Sequence, residues 1–342
     1  MAIKKNSFSD IKKKFSQEAA FKENRFFDLG QPFLDATGIP GPAMGHLNMF
    51  LGHSDTGKTT ALLKTAADAQ KKGILPVFII TEQKWDFNHA KIMGLDCESE
   101  VDPKTGSVSW DGFFLFNNDF SYIEQITDYI NLLLDAQDKG ELDYDLCFLW
   151  DSVGSVPCKM TYEGKGGKQH TAGVLADKIG MGINQRITGS RREDRKHTNT
   201  LIIVNQPWVE LPDNAFGQPK IKAKGGESIW LNSTLVFLFG NEKNAGISKI
   251  TLTRNKRTIS MGSRTKISIF KNHVNGIGFT DCKIMVTPHG FLPMATPDEE
   301  KKSKEQYYKD HIEYFSELFG EKVSDTDNVS FQIVDIEPST DE

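Results

Sequence analysis

The chain has 342 residues, 38% of them hydrophobic and 25% charged, with a formal net charge of −5. That length can bury a substantial core, so one large globular domain with appendages is expected. No run approaches the roughly 18 apolar residues of a membrane span, Met1–Lys14 lacks the apolar centre of a secretory signal, and Cys97, Cys147, Cys158 and Cys282 have no metal-ligand spacing, which together point to reduced thiols, a cytoplasmic location and no membrane partner.

In chain order, Ser7–Phe21 comes first, with Phe8, Ile11 and Phe15 at helical spacing among lysines. An amphipathic helix this short cannot fold alone and must dock, a neighbouring subunit being one option. Residues 22–45 form a connector whose densest turn signal is Gly38-Ile39-Pro40-Gly41-Pro42. The apolar run His46–Leu51 then leads into Gly52-His53-Ser54-Asp55-Thr56-Gly57-Lys58-Thr59, a full match to G-x-x-x-x-G-K-S/T, and Thr59–Lys72 has a helical pattern. Strand, glycine-rich turn and helix in that order are what a phosphate-binding loop requires. Gly52 and Gly57 let the backbone curl with its N–H groups inward. The helix N-terminus adds partial positive charge. Lys58 can neutralise the β- and γ-phosphates and the Thr59 hydroxyl can hold Mg2+, with Thr60 completing the nucleotide-binding set.

Further strand patterns are Val77–Thr81, Phe113–Asn117, Leu146–Asp151, Leu201–Gln206, Thr234–Gly240, Lys249–Asn255 and Thr265–Lys271. Tyr122–Gln137 and Val174–Gly189 are helical. With His46–Leu51, the first five strands alternate with helices, which predicts a parallel sheet with crossovers on its faces. The last three follow one another and predict antiparallel additions at one edge. Leu146–Asp151 is a buried-strand pattern ending in an acid, and Asp151 is placed to serve as the second Mg2+-side ligand.

Two stretches break the alternation. Cys158–Gly173 carries Lys159, Lys165, Lys168 and His170 among four glycines, and Pro207–Lys224 is a long aperiodic run between strands. Such loops are usually functional or disordered. The second holds Trp208 and Phe216, then Lys220, Lys222 and Lys224, and leads into Gly225-Gly226. Lysines interleaved with aromatic rings suit single-stranded nucleic acid, the charges following phosphates and the rings stacking on bases; the same composition also fits a solvated loop. Arg186–His197 is a further basic stretch, read either as a solvated helix end or as part of a second DNA path. Lys304–Phe319 reads as a C-terminal helix. Residues 298–342 carry 14 acids and 5 lysines, a net of −9, so the rest sums to +4. The acid-rich end Val323–Glu342 reads as a disordered tail, a solubiliser or an internal competitor for a basic surface.

Taken in order, several of these segments resemble the RecA-type recombinases. Residues 37–51 and the loop that follows resemble the entry to that family's core. Phe78–Asp96, with Glu82 after the second strand, is similar to the segment carrying the family's catalytic glutamate. Asp151-Ser152 ends a strand as the family's Walker B segment does, and Asn205-Gln206 ends another directly before the long loop. Phe216-Gly217-Gln218-Pro219 and Gly225-Gly226 resemble that loop, and Arg254-Asn255-Lys256 resembles the basic pair offered to a neighbouring subunit's nucleotide. The resemblance covers roughly 37–271 and looks closest to the bacterial and phage RecA/UvsX side. Pro207 and Trp208 depart from it, as does the region after Lys271.

It implies an α/β fold: a RecA-like P-loop NTPase core of mostly parallel twisted sheet flanked by helices, with antiparallel edge strands and small N- and C-terminal appendages. The expected units are 1–35 for docking, 36–272 for the core, 273–322 for a C-terminal element and 323–342 for the tail. It implies ATP and Mg2+ as cofactors. Glu82 would orient or deprotonate the attacking water, Gln206 would sense the γ-phosphate, and Arg254 and Lys256 would complete the site in trans. Asp86 and His89 fall where the family contacts adenine. The implied partners are single- and double-stranded DNA, further copies of the chain in a helical filament, and single-strand-binding and loader proteins. The implied activity is ATP-dependent strand exchange. The alternatives are another motor on the same core, such as a hexameric helicase or a KaiC-like ATPase, and a non-catalytic recombination accessory.

Overall fold

The computed structural model describes residues 20–82, 84–210, 220–224, 227–240, 247–279, 282–324 and 329–335. The helix expected over Ser7–Phe21 lies almost wholly outside them. The chain enters as an extended run against its own core: Phe27 N–H donates to Pro42 O, Leu29 N–H to Pro40 O and Met44 N–H to Arg25 O. Phe27 is fully buried. The apolar side chains of Phe27 and Leu29 fill this chain's own interior.

The elements follow as α1 (Gln31–Thr37), β1 (Leu47–Gly52), α2 (Lys58–Lys71), β2 (Leu75–Ile80), α3 (Phe87–Ile92), β3 (Glu98–Val101), β4 (Val108–Asp111), β5 (Leu115–Asn117), α4 (Ile123–Asp138) and β6 (Leu146–Asp151). Next come α5 (Lys159–Tyr162), α6 (Lys168–Val174), a π-helical stretch (Leu175–Ile183), α7 (Asn184–Gly189), β7 (Thr200–Asn205), β8 (Pro207–Glu210), β9 (Lys220–Ala223), α8 (Glu227–Asn232) and β10 (Leu235–Phe239). The C-terminal part holds β11 (Ile247–Arg254), β12 (Arg257–Asn272), β13 (Cys282–Thr287), β14 (Gly290–Pro293), α9 (Pro297–Asp310), α10 (Ile312–Phe319) and β15 (Ser330–Asp335).

The main sheet has the order β14-β13-β12-β10-β1-β7-β6-β2-β5. The strands from β10 to β5 are parallel to their neighbours. Period-two alternation sends successive side chains to two cores: on β6, Phe148 and Trp150 face one, Cys147 and Leu149 the other. Both faces are covered, which is why these strands read as unbroken apolar runs. Helix α4 buries Ile123, Ile126, Ile130 and Leu134, one stripe at three- and four-residue spacing.

Several expectations are corrected. Strand β10 is parallel to β1 and lies inside the sheet, whereas an antiparallel edge was expected for it. The parallel return needs a crossover, and α8 supplies one. Pro207–Lys224 is not aperiodic throughout, since β8 and β9 pair as an antiparallel hairpin. Cys158–Gly173 contains α5 and most of α6. The single helix expected over Lys304–Phe319 breaks at His311, whose φ is −125°. The tail from Val323 is not unstructured throughout: β15 pairs with β11 along Ser248–Thr253, with Phe331 and Ile333 packed on the C-terminal core. Asp335, one of its acids, meets Ser248 Oγ at 2.6 Å. No described helix is long and apolar enough to cross a membrane.

Candidate active site

Parallel strands deliver their carboxyl ends to one edge, where open α/β sheets bind ligands. Here β1, β7, β6 and β2 are consecutive neighbours. Their ends carry, in turn, the Gly52–Thr59 loop, Asn205-Gln206, Asp151-Ser152 and Thr81-Glu82. Lys58, Thr59, Glu82, Asp151 and Gln206 therefore converge, and with Ser54 and Asp55 they line a cavity of about 160 Å³.

The loop is built for close approach. A Cβ at Gly52 would lie 2.4 Å from Phe239 O, and one at Gly57, where φ is +100°, would lie 2.9 Å from Val286. Asp55 also has positive φ, 60°, and its carboxylate is 3.5 Å from Lys249 Nζ. Thr56 Oγ1 donates to His53 O at 2.8 Å. The Lys58 ammonium donates to the same carbonyl and is 8% exposed. Burial draws its pKa down to about 8, against the pull of Asp151, Glu82 and Asp55. Lys58 is thus a desolvated cation whose bond is to a carbonyl, well suited to exchange that partner for a phosphate.

Thr59 Oγ1 donates to Asp151 Oδ2 at 3.1 Å, so hydroxyl and carboxylate share one locus, the donor pair a hard cation such as Mg2+ takes. Burial and the Glu82 charge raise Asp151 to about 6, opposed by the Thr59 hydrogen bond and Lys58. A cation there would relieve an unfavourable buried charge, so the residues fit a bound divalent ion. Glu82 accepts from Ser152 Oγ. Ser152 is held in turn, its N–H donating to Thr81 Oγ1 at 3.0 Å and its carbonyl accepting from Thr81 Oγ1 at 2.9 Å. Gln206 accepts from Lys224 Nζ at 2.7 Å.

Other expected residues stand apart. Asp86 caps α3, accepting from Asn88 N–H at 2.9 Å, and His89 bonds the Pro288 carbonyl; neither lines the cavity. Arg254 ends β11, paired with Glu321 at 2.6 Å, and Lys256 lies in the turn that follows, with φ 65°. Lys249 is the β11 residue that meets this chain's loop, five positions before Arg254, so Arg254 is roughly 16 Å further along the strand. In the α5–α6 segment, Lys159 lies over the Tyr122 ring at 5.8 Å, Lys165 pairs with Glu163 at 2.7 Å, and His170 Nδ1 accepts from Gly167 N–H at 3.2 Å. Trp208, Lys220 and Lys222 lie on β8 and β9 and Lys168 opens α6; their side chains, with Phe216, Gly225 and Gly226, fall outside what is described.

A larger cleft of about 740 Å³ lies between α4 and α7, but most of its cations are paired with acids. Arg186 meets Asp135 at 2.7 Å and Asp138 at 3.0 Å, Arg192 meets Asp194 at 2.7 Å, and Lys196 pairs with Asp143. The basic stretch Arg186–His197 is therefore largely neutralised within the chain. Sequence reasoning missed Ser152 as a partner of Glu82, and missed Lys84 and Trp85 on the cavity wall. The signal for Ser152 was its place directly after the strand-end acid.

A profile described as the RecA N-terminal domain matches residues 5–110. The chain is similar to Protein RecA of Campylobacter hominis, 27% identical over 240 residues, 70% of this chain and 58% of that protein. It is 27% identical over 242 residues to Protein RecA of Helicobacter hepaticus, covering 70% and 59%. To Protein RecA of Nitratidesulfovibrio vulgaris it is 24% identical over 276 residues, covering 78% and 67%. The chain thus spans less than three fifths of the first two relatives.

Proposed function

We propose, from the premise that this chain is a RecA-type protein, that it is an ATPase that assembles as a helical filament on single-stranded DNA and carries out homologous pairing and strand exchange. One observation carries the proposal. The phosphate loop, Asp151, Glu82 and Gln206 converge at the ends of four neighbouring strands, and Gln206 is also the residue from which the β8–β9 hairpin springs.

In this reading the loop N–H groups and Lys58 bind the phosphates of ATP. Thr59 and Asp151 would hold Mg2+, which would supply charge neutralisation for the phosphates. Glu82, fixed by Ser152, orients a water and takes its proton. Gln206 meets the terminal phosphate and relays its presence to the hairpin, which together with the α5–α6 segment is the proposed DNA-binding part of the chain. Arg254 and Lys256, remote from this chain's own loop, act on the neighbouring subunit's nucleotide once Arg254 has left Glu321. Double-stranded DNA and single-strand-binding and loader proteins are the further partners in this proposal.

Electron microscopy of the protein with a non-hydrolysable ATP analogue, with and without single-stranded DNA, tests it. Open filaments whose length follows the DNA are expected. Closed rings of fixed size would contradict it in favour of a ring-shaped motor.

A further inference from the structure

Lys224 stands at the foot of the hairpin, directly after β9, and is tied to the end of β7 by three hydrogen bonds. Its N–H donates to Gln206 O at 3.1 Å, its carbonyl accepts from Asn205 Nδ2 at 2.8 Å, and its ammonium donates to Gln206 Oε1 at 2.7 Å. Asn205 is itself buried, and its Oδ1 accepts the Gln206 N–H at 2.8 Å. The backbone of Gln206 is thus fixed from both sides, and what remains free is the end-to-end sense of its amide.

An ammonium only donates, so the Gln206 atom that meets Lys224 must be the carbonyl oxygen. A primary amide has one acceptor end and one donor end. Holding Oε1 on Lys224 commits the Nε2 hydrogens to the other side, and Nε2 has no hydrogen bond among the described residues. Gln206 lines the same cavity as Lys58, Thr59 and Asp151. A phosphate oxygen accepts from N–H and repels a carbonyl oxygen, so the sense of this amide decides whether Gln206 attracts or rejects an anion there.

We infer that Lys224 is a positioning residue, which holds the Gln206 amide with its donor end toward the terminal phosphate of a bound nucleoside triphosphate and so lets the site tell triphosphate from diphosphate. This rests on the nucleotide-site proposal above. It gives Lys224 a role distinct from the DNA contact its composition suggested. The ammonium also reaches the phosphate loop through its field: the His53 pKa is held below its ordinary value by burial, by Lys58 and by Lys224. Because Lys224 joins the last residue of the hairpin to the residue before its first strand, a phosphate that engages Gln206 pulls on both ends of the hairpin at once.

The test is equilibrium titration of the full chain, in Mg2+, with fluorescent ADP and a fluorescent non-hydrolysable ATP analogue. The variants are Lys224→Met, Lys224→Arg, Gln206→Ala and the double substitution Lys224→Met with Gln206→Ala. Lys224 is exposed, so neither replacement opens the core. Lys224→Met should weaken the triphosphate about tenfold, the order of one charge-assisted hydrogen bond, and leave ADP within about twofold. Lys224→Arg, also donor-only, should restore discrimination, and Lys224→Met should add nothing once Gln206 is Ala. Equal weakening of both nucleotides would overturn the inference. So would unchanged nucleotide binding with reduced affinity for single-stranded DNA, which would make Lys224 a DNA contact only. Wild-type protein that binds neither nucleotide would overturn the nucleotide-site proposal, and this inference with it.

Discussion

Lys58→Ala should lower ATP turnover by at least about 10³-fold, the upper range for deleting one preorganised electrostatic group, and should leave the fold intact. Two features give this size. Lys58 is 8% exposed, and its ammonium already points into the phosphate loop through His53 O. Two nearby cations are engaged elsewhere, Lys249 with Asp55 and Lys224 with Gln206. Stability should hold or rise slightly, since burial already disfavours the charged form, drawing its pKa down to about 8. Steady-state hydrolysis in Mg2+, with a thermal melt on the same preparation, checks both halves. Retained turnover would remove the loop from the site.

Asp151→Asn should do two opposite things. It removes the carboxylate that, with Thr59, would hold Mg2+, so turnover should fall by at least about 10²-fold. It also removes a buried negative charge beside Glu82. The Asp151 pKa is raised from 3.8 to about 6 in the folded chain. A raised acid favours the folded state only while protonated: the folded state keeps its full stability below about pH 4, loses it as pH rises toward 6, and stays at the lower level above. The difference amounts to at most about 3 kcal/mol, at about 1.4 kcal/mol per pKa unit. Asn keeps an oxygen to accept from Thr59. The variant should therefore be more stable than wild type at pH 8 and equal to it at pH 4. Chemical denaturation at both values, without metal, reads this directly. Equal stabilities at pH 8 would mean that Asp151 carries no such burden.

The strand-end residues of the site were legible in the sequence because a parallel sheet turns linear order into one shared edge. Once His46–Leu51, Val77–Thr81, Leu146–Asp151 and Leu201–Gln206 were recognised as strands, the residues just past them had to converge. Less was visible where local pattern was short or overridden. Strands β8 and β9 have four residues each, with the whole loop between them, too little alternation to register. Missing α8 made β10 look like the start of an antiparallel edge. Strand β15 was hidden because net charge was averaged over the whole tail, while Phe331 and Ile333 alone carry its inward face. Lys224 was counted as one of a run of lysines, and nothing in its spacing indicated that its ammonium turns back to Gln206.

The central proposal is that the phosphate site and the β8–β9 hairpin, proposed to bind DNA, are one coupled device, joined at Gln206. ATP hydrolysis by the wild-type chain, measured with and without single-stranded DNA at saturating Mg2+ and ATP, tests it most directly. Turnover should rise at least about tenfold on adding DNA, which corresponds to about 1.4 kcal/mol off the activation barrier. A rate that single-stranded DNA does not change would contradict it.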